Sequence, residues 1–204
     1  MSEIEVIKEQ AEFTYKNLSK KEKELFEFDT CVLCDGSVNA NVLTIARDLG
    51  RDEVEEGVPL IGAAGSLFRY IEMKMRVESF KCNIVPYKPW NNKVFPKQIR
   101  EKFYPIVYSL MELVKPKAII VLGNEAFELF TGVYGGITNF AQDEKPIYEA
   151  KFDLPLFAAV HPSYLTRQGI TIESLKTNRN HKKIFKELFF HNIYRAHKFV
   201  GDVK

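Results

Sequence analysis

The chain has little that would place it in a membrane or outside the cell. No apolar run among its 204 residues reaches the roughly 18 to 20 that a spanning helix requires. Its start, MSEIEVIKEQ, is acidic and helix-like, unlike a basic segment followed by an apolar one. Cysteine is scarce: Cys31, Cys34 and Cys82 are too few and odd in number for a disulfide framework, as in a reducing compartment. These features lead to the expectation of a soluble, intracellular, cytoplasmic protein. A charge of one sign is also missing. With 29 basic and 27 acidic residues the net charge is +2, so any basic surface must be local. Internal repeats and low-complexity linkers are absent, and 46% hydrophobic content over this length is enough for one core, so residues 1–204 are read as a single domain. Oligomeric state is not legible.

Four short apolar runs read as strands buried on both faces: Val42 to Ala46, Phe80 to Val85, Ala118 to Leu122 and Leu156 to Val160. Helical patterns lie between them. Ile99, Phe103, Ile106, Val107, Leu110 and Val114 share one face of a helix over Pro96 to Val114, with Pro116 as a stop. Ile4 to Leu18 forms another, and Ser19 with Glu22 makes a capping box for a short helix ending near Phe28. Ser174 to Val200 reads as one long helix with Phe185, Phe189, Ile193 and Ala196 inward and a solvated basic face. Alternating strands and helices predict an α/β fold, a three-layer α/β/α sandwich around a central, mostly parallel four-stranded sheet. Ligands in such sheets bind beyond the carboxyl ends of the strands, which points to the segments beginning at Arg47, Pro86, Gly123 and His161.

Three of those segments carry motifs. Residues 46 to 68, ARDLGRDEVEEGVPLIGAAGSLF, hold four glycines in a loop leading to a helix near Ser66. Glycines let a backbone approach a ligand closely, and Gly62 to Gly65 before a helix N-terminus could hold a phosphate. The loop is neither a dinucleotide fingerprint nor a P-loop, lacking GxGxxG and GK[ST]. Residues 81 to 96 read KCNIVPYKPWNNKVFP, residues 161 to 167 read HPSYLTR, and LGNEAFELF follows the third strand.

Taken in order, these segments resemble the iron–sulfur type of the uracil-DNA glycosylase superfamily. The first is similar to GEAPGxxEDxxGxPFVGxAG and keeps Gly50, Glu53, Gly57, Pro59, Gly62 and Gly65 in register without a gap. The second resembles TNVVKCRPPGNRxP, and the third resembles HPSYLLR. The likeness covers about residues 31 to 167. It implies DNA containing uracil or a modified base as the partner. Asn83 falls where the family sets an amide against the Watson–Crick edge of the base, a task suited to a group with both donor and acceptor. His161 would face the base carbonyl. Ser163, Leu165 and Arg167 would hold DNA, with Leu165 exposed and filling the gap of an extruded nucleotide. Gly62, Ser66, Asn92 and Lys93 complete the expected DNA contacts, and Arg47, Gly50, Glu53 and Leu60 the base pocket. Gly123 is expected to permit a tight strand-to-helix turn and Ala126 close packing.

The chain departs from the family pattern in three places. Cys31 and Cys34 match the first two cluster ligands, but Tyr87 and Phe103 stand at the other two, so no iron–sulfur cluster and no metal is expected. Arg47 takes the place of the family's Glu, while alignment with the GQDPY motif of the classical uracil-DNA glycosylases puts Asp48 on the catalytic Asp. A carboxylate there would stabilise an oxocarbenium ion and orient water; a salt bridge to Arg47 or Arg51, or a cap, is the alternative role. Leu60 replaces a stacking Phe, leaving room for hypoxanthine or a 5-substituted pyrimidine. The resemblance therefore implies a monofunctional DNA glycosylase leaving an abasic site. Its rival is a weak or inactive DNA-binding replication accessory on the same fold.

Overall fold

A computed structural model of the chain describes residues 1–142, 146–149 and 151–203. The four apolar runs do form parallel strands: β2 (Val42–Ala46), β3 (Phe80–Asn83), β4 (Ala118–Leu122) and β6 (Leu154–Ala159). Among the described residues the sheet nevertheless has six strands, in the order β1-β3-β2-β4-β6-β5, rather than four. The additional edges are β1 (Cys34–Asp35), antiparallel to β3, and β5 (Ile147–Glu149), antiparallel to β6. Two and three residues are too short to leave an alternating pattern in a sequence. The chain beyond β3 stays tied to the β2 side, since the N–H of Ile84 donates to the Ala46 carbonyl and that of Val85 to the Arg47 carbonyl.

Helices surround this sheet. Right-handed crossovers place α4 (Gly62–Met75) on one face, and α5 (Lys97–Val114) and α6 (Asn124–Thr131) on the other. Accordingly α1 (Glu3–Lys16) packs on α5, and α8 (Pro162–Arg167) packs on α4. The Ser19–Glu22 capping box is formed, although the helix it starts, α2 (Lys20–Lys23), lasts one turn. Two short helices flank the glycine-rich loop and β5, α3 (Arg51–Glu56) and α7 (Ile137–Gln142). Every residue of β2, β3 and β4 is buried, the polar Thr44, Lys81 and Asn83 included, and β4 is apolar throughout.

The C-terminal segment is not one helix. Asn178 leaves helical geometry to cap α10 (Arg179–Phe185) through its side chain, which separates α10 from α9 (Ser174–Thr177). A π-helical turn at Lys186–Phe190 then leads into α11 (His191–Phe199). This wider turn directs a carbonyl outward, and that of Leu188 accepts from the Val160 N–H at 3.1 Å, docking the segment on the end of β6. Phe185, Phe189, Ile193 and Ala196 are buried as their spacing predicts. No helix among the described residues is long and apolar enough to cross a membrane.

The chain passes from β2 to β3 on one side and returns to β4 on the other. The carboxyl ends of β2 and β4 are therefore the point where the winding reverses, the usual place for a ligand crevice.

Candidate active site

A cavity of about 450 Å³ opens at that point, within the size range of small-ligand sites. Its walls come from the loop after β2 (Arg47, Asp48 and Gly50), the start of α4, the Asn91–Asn92 turn and the segment after β6 (His161, Ser163 and Arg167).

Backbone geometry holds these walls in place. Glu53 is buried at the start of α3, where one carboxylate oxygen accepts from the Gly50 N–H and the other from the Leu60 N–H at 2.6 Å. It thereby ties the two ends of the glycine-rich loop together, so its oxygens are committed to backbone rather than free for a base as expected. Leu60 is buried in a left-handed conformation, φ 54°, and its carbonyl accepts from Arg69 Nε at 2.8 Å. Gly65 lies so close to that Leu60 backbone that any Cβ would collide with it. Gly62 is also left-handed, and the Asp52 carboxylate already stands over it, where a phosphate had been expected. The helix starts at Gly62 rather than near Ser66, and the Ser66 hydroxyl donates back to the Ala63 carbonyl away from the cavity walls.

The titratable groups are set apart by their surroundings. Burial pushes the Asp48 carboxyl up to about 7, against the pull of the Arg47 guanidinium, with Glu125 and Glu53 adding to the rise. Arg47 Nε lies 2.7 Å from Asp48 Oδ2 as an ion pair, at angles outside those of a hydrogen bond, and neither atom has another partner among the described residues. His161 moves the opposite way: burial first, then Arg47 and Arg167, hold the imidazole down to about 3, so it is neutral. Its Nδ1 accepts from the Ser163 N–H at 3.2 Å and lies 2.8 Å from Ser163 Oγ, which leaves the ring proton on Nε2. Gly123, at φ 94°, makes the tight turn expected of it and brings its backbone against His161.

Two expected site residues are placed differently from the sequence reading. Leu165 is 0% exposed, because the turn of α8 that carries it faces α4; it is a core residue and cannot be an exposed wedge as it stands. Asn83, paired in the sheet with Ala46, is buried with both side-chain amide atoms unpartnered among the described residues, and it is not among the cavity walls. Lys93 is exposed just outside the cavity, while Asn92 lines it. Sequence reasoning missed Lys88 and Glu27. Lys88 is buried, its Nζ paired with Glu27 and donating to the Pro89 carbonyl at 3.3 Å, while Glu27 also pairs with Arg51 at 3.0 Å. Lysine in the second motif was visible, but no local pattern joins it to a carboxylate 61 positions away.

The residues at the cluster positions implied by the resemblance do not fit a four-thiolate group. Tyr87 and Phe103 are fully buried and 5.7 Å apart between ring centroids, with Tyr15 stacked on Tyr87 at 4.8 Å and Phe26 and Phe95 completing an aromatic cluster. Cys31 and Cys34 are thiols pushed up by burial to about 11, and Cys82, the sheet partner of Cys34, is pushed higher still. Among the described residues no group of three or more His, Cys, Asp and Glu side chains is placed to hold one metal ion.

Comparison with known proteins follows the same lines. The family model described as Uracil DNA glycosylase superfamily matches residues 34–189. The type-4 uracil-DNA glycosylase of Thermotoga maritima is 27% identical over 140 residues, covering 67% of this chain and 71% of its own. That of Sulfurisphaera tokodaii is 24% identical over 172 residues, 80% of this chain and 76% of its own. That of Pyrobaculum aerophilum is 29% identical over 92 residues, 44% and 47% of the two chains.

Proposed function

The chain belongs to the uracil DNA glycosylase superfamily, and from that premise we propose that it is a monofunctional DNA glycosylase releasing uracil or a related base and leaving an abasic site. The observation that carries this reading is the pairing, in one cavity, of a carboxyl group poised near neutrality with a neutral imidazole, Asp48 and His161.

Two groups with opposite environments suit the two halves of the reaction. As the N-glycosidic bond breaks, its electron pair leaves with the base and positive charge grows on the sugar. Ionised Asp48 stabilises that charge and takes a proton from the water whose oxygen bonds to C1′. The Nε2–H of His161 donates to the base oxygen as the base departs as an anion. The base is then protonated from solvent, to which Asp48 returns its proton. Leu60 lines the pocket, and Arg167, Ser163 and Asn92 meet the DNA at its mouth. Asn83 reads the extruded base, for which the side chains between its amide and the cavity must give way; an unpaired buried amide gains most from such a partner. The mechanism calls on no iron–sulfur cluster, whose positions here hold two thiols, a phenol and a phenyl ring.

The rival reading, a DNA-binding protein without strong catalysis, is favoured by one observation: Arg47 Nε already lies 2.7 Å from Asp48 Oδ2, an oxygen of the carboxylate that would hold the water. Incubation with single- and double-stranded oligonucleotides carrying uracil, hypoxanthine or a 5-substituted pyrimidine, followed by alkaline cleavage, separates the two. Base release is expected, with kcat/KM rising with pH through about 7 as Asp48 ionises and His161 adding no inflection near neutrality. Asp48→Asn is expected to slow release roughly 10²- to 10⁴-fold while DNA affinity persists. Binding without release of any base would establish the rival.

A further inference from the structure

With Leu165 buried, no side chain has been assigned to the space that an extruded nucleotide leaves in the stack. We propose that Trp90 is that side chain, an inference that rests on the glycosylase reading above.

Trp90 is 51% exposed and begins the short turn Trp90–Asn92, whose next two residues, Asn91 and Asn92, line the cavity. Both asparagines are left-handed, φ 50° and 55°, a conformation that asparagine tolerates best among residues with a side chain. The turn therefore projects as a fixed corner. Its base is anchored: the Trp90 N–H donates to the Leu25 carbonyl at 2.8 Å, the Lys93 N–H to the Trp90 carbonyl at 3.1 Å, and Pro89 bridges to Phe26. Such anchoring lets the indole resist the pressure of two base pairs rather than fold away.

The surroundings suit a nucleic-acid stack. Phe28 (37% exposed) and Val94 (41%) are further large apolar side chains left open on the same two segments, beside the cavity-lining Glu27 and two residues beyond Asn92. Lys93, exposed at the end of the same turn, has no ion-pair partner among the described residues and is free for a phosphate. An indole offers a sequence-tolerant π-face, and an apolar wedge between base steps compensates the lost stacking. A wedge matters most where a duplex must be opened, and least on single strands whose bases are already unstacked.

Because Trp90 is the only tryptophan in the chain, its emission reports this contact alone. Titration with a duplex carrying an abasic-site analogue is expected to quench it, and more strongly than an intact duplex of the same sequence. In parallel, Trp90→Ala is expected to lower the ratio of duplex to single-strand uracil release about tenfold, the size of one lost base–aromatic stack, and Trp90→Phe to recover most of it. An unchanged ratio in an active protein, or unchanged emission at saturating DNA, would overturn the proposal, the latter leaving a protein partner as the occupant of this rim. Absence of base release by the unaltered protein on either substrate would instead sink the glycosylase reading, and the emission titration would still decide whether Trp90 enters the stack.

Discussion

Two ion pairs stand at opposite ends of the central sheet, one buried on both sides and one whose arginine is partly exposed. At the amino end of β3, Lys81 Nζ lies 3.0 Å from Glu72 and donates to the Ser79 carbonyl at 2.7 Å. The second Glu72 oxygen accepts from both the N–H and the hydroxyl of Ser79, each at 2.7 Å, and Thr44 donates to that hydroxyl at 2.8 Å. At the carboxyl end, Arg47 and Asp48 face each other with poor angles, and Asn83 beside them has neither side-chain amide atom partnered among the described residues. Buried polar groups are ordinarily satisfied, so the first arrangement is what stability selects. The second keeps donors, acceptors and a proton-binding carboxyl uncommitted next to a cavity, as a site that must receive a polar ligand requires.

That contrast can be broken experimentally, most forcibly at the satisfied end. Glu72→Gln leaves the Lys81 ammonium buried without its counter-charge and is expected to lower stability by about 3–5 kcal/mol in chemical denaturation, with base release per folded molecule unchanged. A smaller loss is expected from Glu53→Gln, the satisfied carboxylate within the cavity wall. An amide cannot accept from both the Gly50 and Leu60 N–H groups, so stability should fall by about 1–3 kcal/mol and the glycine-rich loop should exchange its amide hydrogens faster.

A third effect carries the opposite sign. The folded protein holds the Asp48 proton more tightly than the unfolded chain, whose carboxyl has its ordinary value of 3.8. Ionised Asp48 thus lowers stability progressively as pH rises from the unfolded value through about 7, and the loss is complete above it. Asp48→Asn removes that charge and is expected to raise stability at pH 8, with no gain at pH 4. Thermal unfolding at the two pH values measures it. Equal destabilisation by Asp48→Asn and Glu72→Gln at pH 8 would erase the distinction between the two ends.

Much of this arrangement was legible because it is written locally. The central strands β2, β4 and β6 are apolar runs or nearly so, and the segments that follow three of the four central strands do supply the cavity walls. The glycine register was visible too, and Gly65 sits where a side chain would strike the Leu60 backbone. Edge strands of two and three residues carry no period to read. Leu165 was misjudged because the phase of a six-residue helix depends on what it packs against, here α4. The break at Asn178 and the π-turn at Lys186–Phe190 interrupt a hydrophobic spacing that continues across them.

The sequence by itself determined which residues form strands, where the chain turns and which side chains end up near the carboxyl edge, since propensity, period and capping act over a few neighbouring positions. Only the tertiary structure decided the states of those side chains. Asp48 is held near neutrality by burial and by Arg47, Glu125 and Glu53, His161 is kept neutral by burial and two arginines, and Lys88 meets Glu27 across 61 positions. Desolvation and Coulomb interactions are summed over groups brought together from distant segments, so no local pattern contains them.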